Sequence, residues 1–514
     1  MLKIIGGWTL CTTADLFFII NFACYFRHYL TFHTIEMPLT LSKTDYQYYR
    51  ACPEELWLMK HQRHLFPPMD AERLFSISQG NLVDAFVQQL FEDKSFLRLF
   101  KIHKRRIAFQ YEVRTEGYVA IADVVVFDET DPNCLDLFEV KGSKEVKDEY
   151  IHDLAFQKMV FEKSGLRVRK TYLVHINPTY VFEGELDAVR FFRLPNVSDK
   201  VEKILAATTE TAVQAWAYIN LPNEPQAHFK LCNNKLDCVF LKKHFPNLPS
   251  YTVFDIRGIR EKKLNEFLAQ DILDIKDVPT DFPLSDNQRR QVTIAHAQEI
   301  VIEKEKIKRI TEGWQPPFYF LDYETINLVF PLHTGFSPYQ QMVFQYSLHI
   351  LDSQGHTHHS EFLIEDKNES PLALLAQLQK DIKADGGTVF VWNKSFEETR
   401  NKEMARLYPD FAHFLYDVNT RMYDLELPFK NGLYIHPDFK GKSSIKKVLP
   451  VLVPHLSYQG LEVQNGAMAF TQWYRLVFDG LTDAERAKIK QDLLDYCRMD
   501  TWAMVKIWDI LRSI

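Results

Sequence analysis

Carboxylates set into otherwise apolar strands constrain this sequence more than any other feature. In Tyr118-Val119-Ala120-Ile121-Ala122-Asp123 an acid closes a run that reads as a buried strand, and in Phe318-Tyr319-Phe320-Leu321-Asp322-Tyr323-Glu324 two acids follow one. An ionised side chain in such a place needs a partner or a metal. Strand pleating puts positions i and i+2 on one face. It pairs Glu139 with Lys141 in Leu137-Phe138-Glu139-Val140-Lys141, and it pairs Asp322 with Glu324, which repel unless a cation lies between them. Far downstream, Leu493 to Thr501 reads as helical, so Tyr496 and Asp500 at i and i+4 share a face. Val389-Phe390-Val391-Trp392 leads into Asn393-Lys394-Ser395-Phe396-Glu397, a third acidic segment, with Asp424 in Met422-Tyr423-Asp424-Leu425 as the reserve candidate. The chemistry that suits such sets is metal-assisted phosphodiester hydrolysis. Asp123, Glu139 and the carbonyl of Val140 would hold a hard divalent ion through oxygen, while Lys141 orients water and offsets developing phosphoryl charge. Two plainer alternatives stand beside it: a surface hairpin with a Glu139–Lys141 cross-strand pair, and a strand end capped by Asp322 and Glu324 with Tyr496 packed in the core.

A chain of 514 residues exceeds one ordinary domain, and 46% apolar against 25% charged residues is the balance of a folded globular protein, so two or three domains are expected. The net charge of −7 leaves no chain-wide cationic field. Contact with nucleic acid must then come from local basic patches. Two stand out, Lys101, Lys104, Arg105 and Arg106, then Lys440, Lys442, Lys446 and Lys447, and Tyr339 and Trp392 are candidates to stack bases. The cysteines, Cys11, Cys24, Cys52, Cys134, Cys232, Cys238 and Cys497, are odd in number and scattered. They give no disulfide framework and point to a reducing cytoplasm. The apolar run Leu16 to Tyr25 is about half a bilayer span and lacks a small-residue cleavage pattern. Residues 1–36 are therefore read as a dispensable extension ahead of a working start at Met37, with no stable membrane association expected and a signal anchor as the alternative.

Three regions follow. Residues 37–248 hold helices expected over 46–60, 71–103 and 146–164, and strands over 107–114, 118–127, 135–141 and 171–176. Residues 249–314 are charged and read as a helical connector, in which Ile256-Arg257-Gly258-Ile259 is a candidate helix-hairpin-helix for gripping phosphate. Residues 315–514 hold strands expected over 318–322, 341–351 and 388–392, then a helix over 483–512 whose Thr482 and Glu485 have capping-box spacing.

The set Asp123, Glu139-x-Lys141 and Asp153-Leu154-Ala155-Phe156-Gln157 resembles the PD-(D/E)XK nuclease superfamily, specifically its RecB-like branch with CRISPR-associated relatives, over roughly 37–248. The resemblance implies a restriction-endonuclease-like fold in which Asp123, Glu139 and Lys141 are catalytic and Gln157 lies beside the site. Two positions depart from it: Asp84, four residues after Gly80, stands where many relatives have a histidine that binds metal, and Phe161 stands where a tyrosine is frequent. The resemblance also implies an iron–sulfur cluster held by Cys52, Cys232 and Cys238, with His244 where a third trailing cysteine is usual. A Cys3His group is equally a zinc set, and buried thiols left from a lost cluster are the bland alternative.

Asp322-x-Glu324 with Tyr496-x-x-x-Asp500 resembles the DEDD exonucleases of the ribonuclease H-like fold, over about 315–514. The resemblance implies a two-metal site: Asp322 on both ions, Glu324 and Asp500 on one each, and Tyr496 positioning the attacking water. Glu397 stands at the middle position, where aspartate is usual. The text from Pro338 to His349 and from Gly441 to Pro450 resembles an uncharacterised bacterial family that joins the two domains. The expectation is an α/β, cytoplasmic nuclease dependent on Mg²⁺ or Mn²⁺, acting on single-stranded DNA or DNA ends through a RecB-like site and a 3′-to-5′ exonuclease-like site. DNA is favoured over RNA. An RNA-directed nuclease, and a degenerate nucleic-acid-binding protein in which positions 84, 244 and 397 record lost activity, remain open.

Overall fold

The computed structural model describes residues 38–102, 104–225, 239, 243 and 245–514. The 1–36 extension, Cys232, Cys238 and His244 lie outside the described residues.

In the N-terminal half, strand β1 (Leu41–Ser42) runs into α1 (Lys43–Ala51), where Ser42 and Asp45 cap each other reciprocally. The single helix expected over 46–60 is broken: Cys52 is extended, and Pro53, with no N–H to donate, opens α2 (Pro53–His61). The helix expected over 71–103 is likewise two, α3 (Ala71–Glu92) and α4 (Lys94–Leu99), because the Asp93 carboxylate accepts the amides of Ser95 and Phe96. There follow β2 (Ile107–Thr115), β3 (Tyr118–Phe127), β4 (Cys134–Lys141), α5 (Asp148–Lys163), β5 (Arg167–Ile176), β6 (Phe192–Arg193) and α6 (Ser198–Ile219). The sheet order is β1-β3-β4-β5-β6, with β2 on β3. β2, β3 and β4 are antiparallel neighbours, whereas β4 and β5 are parallel and joined by α5. Alternation sorts the apolar side chains: Ala120, Ala122, Leu135 and Leu137 face a core with α5 and α6, while Val124, Val126, Phe138 and Val140 face one with α3.

The connector is more than a tether. α7 (Glu261–Leu268) and α8 (Asp286–Ala297) close over a core of their own, with Val253, Leu264, Phe267 and Ile275 buried. Its surface charge hides this core from a composition reading. Only a single 3-10 turn, Val253–Asp255, precedes Gly258, so the two-helix clasp expected around that glycine is not formed.

The C-terminal half opens with β7 (Val301–Ile302) and α9 (Lys304–Glu312). Its main strands are β8 (Phe318–Ile326), β9 (Met342–Leu351), β10 (Thr357–Leu363), β11 (Val389–Val391) and β12 (Met422–Asp424), in the order β10-β9-β8-β11-β12. β8 is central, antiparallel to β9 and parallel to β11. Helices α10 (Pro371–Asp381), α11 (Lys394–Leu407) and α12 (Ala412–Arg421) cover one face. After β13 (Tyr434–Ile435), which pairs with β7, helices α13 (Ile445–Leu452), α14 (Gly466–Phe478) and α15 (Asp483–Arg512) cover the other. The capping box at Thr482 and Glu485 starts α15 at the expected residue.

The halves are packed together. Phe75 of α3 meets Phe470 and Tyr474 of α14, each at 5.1 Å between ring centroids. Val329 is buried within the N-terminal core, and Phe182 exchanges backbone hydrogen bonds with Gly335 and Phe336. Among the described residues no helix is long and apolar enough to cross a membrane.

Candidate functional sites

The N-terminal sheet brings Asp123 and Glu139 together as the sequence predicts. Asp123 on β3 accepts the amide of Val140 on β4 at 2.7 Å. Glu139 is fully buried: one oxygen accepts from Gln157 of α5, and the other faces both Lys141 at 2.7 Å and Lys43 at 2.5 Å. Lys141 also reaches Asp153 at 2.7 Å. Burial drives the Asp123 carboxyl up to about 7, Glu139 adding to the shift while Lys43 opposes it. Burial would raise Glu139 as well, but Lys43 and Lys141 outweigh it and hold that carboxyl down at about 2. The same ion pairs keep Lys141 protonated against burial. Asp84 on α3 is within electrostatic reach: burial and then Glu139 raise its carboxyl. Lys43 is the residue sequence reasoning missed. It lies 96 positions from its carboxylate, and nothing local marks it.

In the C-terminal half the acids converge under α15. Asp322 and Glu324 project from the middle of β8, and Cys497 of α15 comes within 3.6 Å of an Asp322 oxygen. Asp322, Glu324 and Cys497 each offer an atom within 4.8 Å of the others, a group able to hold a cation. Asp500 accepts the Tyr458 hydroxyl at 2.6 Å, and Lys446 of α13 donates to the Tyr496 hydroxyl at 2.9 Å. Glu397 on α11 is 2% exposed, and one of its oxygens has no hydrogen-bond partner among the described residues. Burial, then mutual repulsion, sets the electrostatics. Burial followed by Asp500 raises Asp322 far above the carboxylate range; burial followed by Asp322 does the same to Glu324 and to Glu397. Asp500 is also raised by burial, with Tyr458 and Lys446 opposing. The reserve acid Asp424 is spent elsewhere: it accepts the amides of Asn393, Lys394 and Glu426, anchoring the start of α11. Asp322, Glu324, Tyr496 and Asp500 line a cavity of about 180 Å³ together with Trp392 and Lys446. Cys497 and Tyr458 were missed. The cysteine is one turn from Asp500 on the same helix face, a legible signal; Tyr458 has none.

The remaining expectations divide. Cys52 is a buried cap between α1 and α2, accepting the Glu55 amide at 3.4 Å, and its expected co-ligands lie outside the described residues. In the first basic cluster Arg105 is taken by Asp128 and Asp136, and Arg106 stacks 3.7 Å over Phe127. Tyr339 donates to the Gly142 carbonyl at 2.6 Å, at the seam between the halves.

The fold and these sites define a mixed α/β protein with two groups of buried carboxylates. Among known proteins, a domain of unknown function (DUF2779) matches residues 319–444, which include Asp322, Glu324 and Glu397. The chain is similar to uncharacterised protein UU173 of Ureaplasma parvum serovar 3, 28% identical over 301 residues, covering 52% of this chain and 42% of that one. It is also similar to the uncharacterised MG366 homolog of Mycoplasma pneumoniae, 26% identical over 239 residues, with 43% of this chain and 34% of that one covered. Uncharacterised protein MG366 of Mycoplasma genitalium is 26% identical over 206 residues, with 37% and 31% covered. The matched stretches span less than half the length of these relatives.

Proposed function

We propose that the protein is a metal-dependent nuclease whose C-terminal half is a ribonuclease H-like exonuclease acting on single-stranded DNA, and whose N-terminal half has the RecB-like PD-(D/E)XK fold. One observation carries the reading: Asp322, Glu324, Glu397 and Asp500, drawn from three distant segments, share one buried site with too few cations to balance them. Strand order supports it, since the antiparallel β10-β9-β8 set followed by parallel β11 and β12 agrees with a ribonuclease H-like sheet.

Divalent ions bound by Asp322, Glu324, Glu397 and Asp500 would supply Lewis acidity and a water of lowered pKa. The unpartnered Glu397 oxygen fits such a ligand set. Tyr496, held neutral by burial and then by the nearby acids, keeps its proton and positions water as a donor rather than removing a proton from it. Lys446, already on the Tyr496 oxygen, places a positive charge where phosphoryl charge develops. Incubating 5′-labelled single-stranded DNA or RNA with Mn²⁺ or EDTA tests the reading. The expected result is metal-dependent shortening of DNA from its 3′ end, reduced about a hundredfold or more by Asp322→Asn. Binding without metal-dependent cleavage overturns it.

For the N-terminal site a second reading has its own support. Both Glu139 oxygens are already engaged by Lys43, Lys141 and Gln157, which favours a site that grips nucleic acid without cutting it. Glu139→Gln then leaves cleavage by the full chain unchanged, whereas a working nuclease site loses its share.

A further inference from the structure

Two cavities continue outward from the C-terminal acidic site. One of about 430 Å³ adjoins it at Lys446 and is lined by Lys440, Lys442 and Lys447, with Asp438 as its one acid among the described residues. The next, about 530 Å³, shares Phe439 and Lys442 with the first and lies between the helical connector and the β13–α13 segment. Its lining adds Arg257, Arg290 and Lys430, with no acid among the described residues. In a chain of net charge −7, a path walled by seven cations, with Asp438 in its lining and Asp255, Glu303 and Glu426 paired to three of them, is still locally positive and leads to a set of buried acids. Ion pairing takes three of the seven, Lys430 with Glu426 at 3.0 Å, Lys442 with Asp255 at 3.2 Å and Arg290 with Glu303 at 3.5 Å. The other four keep their charge for a ligand: Lys447 is exposed, Arg257 and Lys440 donate to the Lys430 and Ser250 carbonyls, and Lys446 to the Gln464 carbonyl and the Tyr496 hydroxyl. Half-buried His436 adds an imidazole face along the same path, behind which Tyr251, Tyr434 and Phe439 are buried.

We infer that this path is a track for a single strand of nucleic acid, running from the acidic site over α13 to the connector, so that the connector is part of the substrate-binding surface. Cations at successive positions suit a phosphate backbone, and concave cavities of this size admit a single strand with unpaired bases more readily than a duplex. The inference rests on the proposed exonuclease reading, deepening it by naming where the strand beyond the scissile bond lies. It excludes a site that grips only the terminal nucleotide.

The test is binding by the full chain in EDTA, where cleavage is silent, using fluorescein-labelled oligothymidylates of 3 and 15 nucleotides and a 15-base-pair duplex. The variant is Arg257→Glu/Lys440→Glu/Lys447→Glu, and Lys200→Glu/Lys203→Glu, on the exposed face of α6, is the control. The expected result is a tenfold or greater loss for the 15-mer, little change for the 3-mer, and a salt slope shallower by about 2, for three lost contacts at about 0.7 each. The control stays near wild type. Equal loss for both lengths, no loss, or tighter binding of duplex overturns the track. Should the triple variant misfold, photocrosslinking of wild-type protein to 15-mers with 5-iodouracil at successive positions reads the same question. Crosslinks in the peptides holding His436 and Lys440 support the track, and their absence overturns it. Long-strand binding that responds to these changes without any Mn²⁺-dependent cleavage removes the exonuclease reading alone; cleavage with unaltered binding removes the track alone. A parallel oligouridylate arm distinguishes RNA from DNA.

Discussion

Lys43 is where an individual side chain decides most. Its ammonium and that of Lys141 lie on the same Glu139 oxygen, so the N-terminal acidic site carries its own counterion. Lys43→Met should cost about 1–3 kcal/mol in metal-free buffer, the penalty for thinning the partners of a buried charge. It should also open the site to metal. In an Asp322→Asn background, which silences the other site, Mn²⁺ at a hundredfold over its Kd should add about 2.7 kcal/mol of stability with Lys43→Met and much less without it. Thermal melts with and without Mn²⁺ measure both. His349 gives a second outcome at this scale. It is 4% exposed against Thr501, and burial, then His359 and Arg498, hold its pKa near 3 rather than its ordinary 6.5. The folded chain therefore refuses a proton that the unfolded chain accepts, so this contribution to stability is whole above 6.5 and is lost as pH falls. From pH 6.5 to 5.0 the loss is about 1.5 kcal/mol. Urea melts at the two pH values should show a drop smaller by that amount in His349→Gln than in wild type. Much of both acidic sites was legible in the sequence, because i, i+2 and i, i+4 spacings are local. Lys43, Lys446 and Tyr458 complete those sites through partners tens of residues away, which no local spacing reports.

Elements were legible where hydrophobic period and punctuation agreed. β3 and α15 match their expected bounds, α15 because Thr482 and Glu485 satisfy its first amides. Helix breaks were missed where one polar side chain overrides the period: Asp93 both ends α3 and begins α4. The connector is the larger miss, since its core is sparse and its faces are charged. Its grip on the C-terminal half depends on Gly441, whose φ is +71° and where a Cβ would lie 2.1 Å from the Gln291 side-chain nitrogen. That nitrogen donates to Tyr251 and to the Asp255 carbonyl, so it cannot move without losing both bonds. Gly441→Ala should therefore cost about 1–3 kcal/mol, from left-handed strain plus lost hydrogen bonds. Hydrogen exchange should show faster amides over 251–297, with β8 and β9 still protected. It should also weaken binding of the long strand proposed above.

Across the whole molecule, the two halves are tied by a segment of one that finishes the core of the other. Val329, three residues past the end of β8, is fully buried among Val83, Phe86, Val140 and Val174, all residues of the N-terminal half. Its amide is satisfied by Gln79 of α3 at 3.3 Å, and the neighbouring Phe330 meets Phe86 edge-on at 5.1 Å. A segment that leaves the acidic strand β8 and fills a space against β4 fixes the distance between the two carboxylate sites, because both strands carry site residues. The consequence is measurable, since damage in one half should appear in the other. Val329→Ala removes two buried methyls and leaves a void, a loss of about 1.5–3 kcal/mol. If the segment closes the N-terminal core, exchange protection falls at β4 and β5, around Val140 and Val174, at least as much as at β8. If the halves are independent, the change stays within β8 and β9. The first outcome means that the N-terminal half expressed alone would lack part of its own interior, so that it would melt below the full chain and its Glu139 site would be loosened with it.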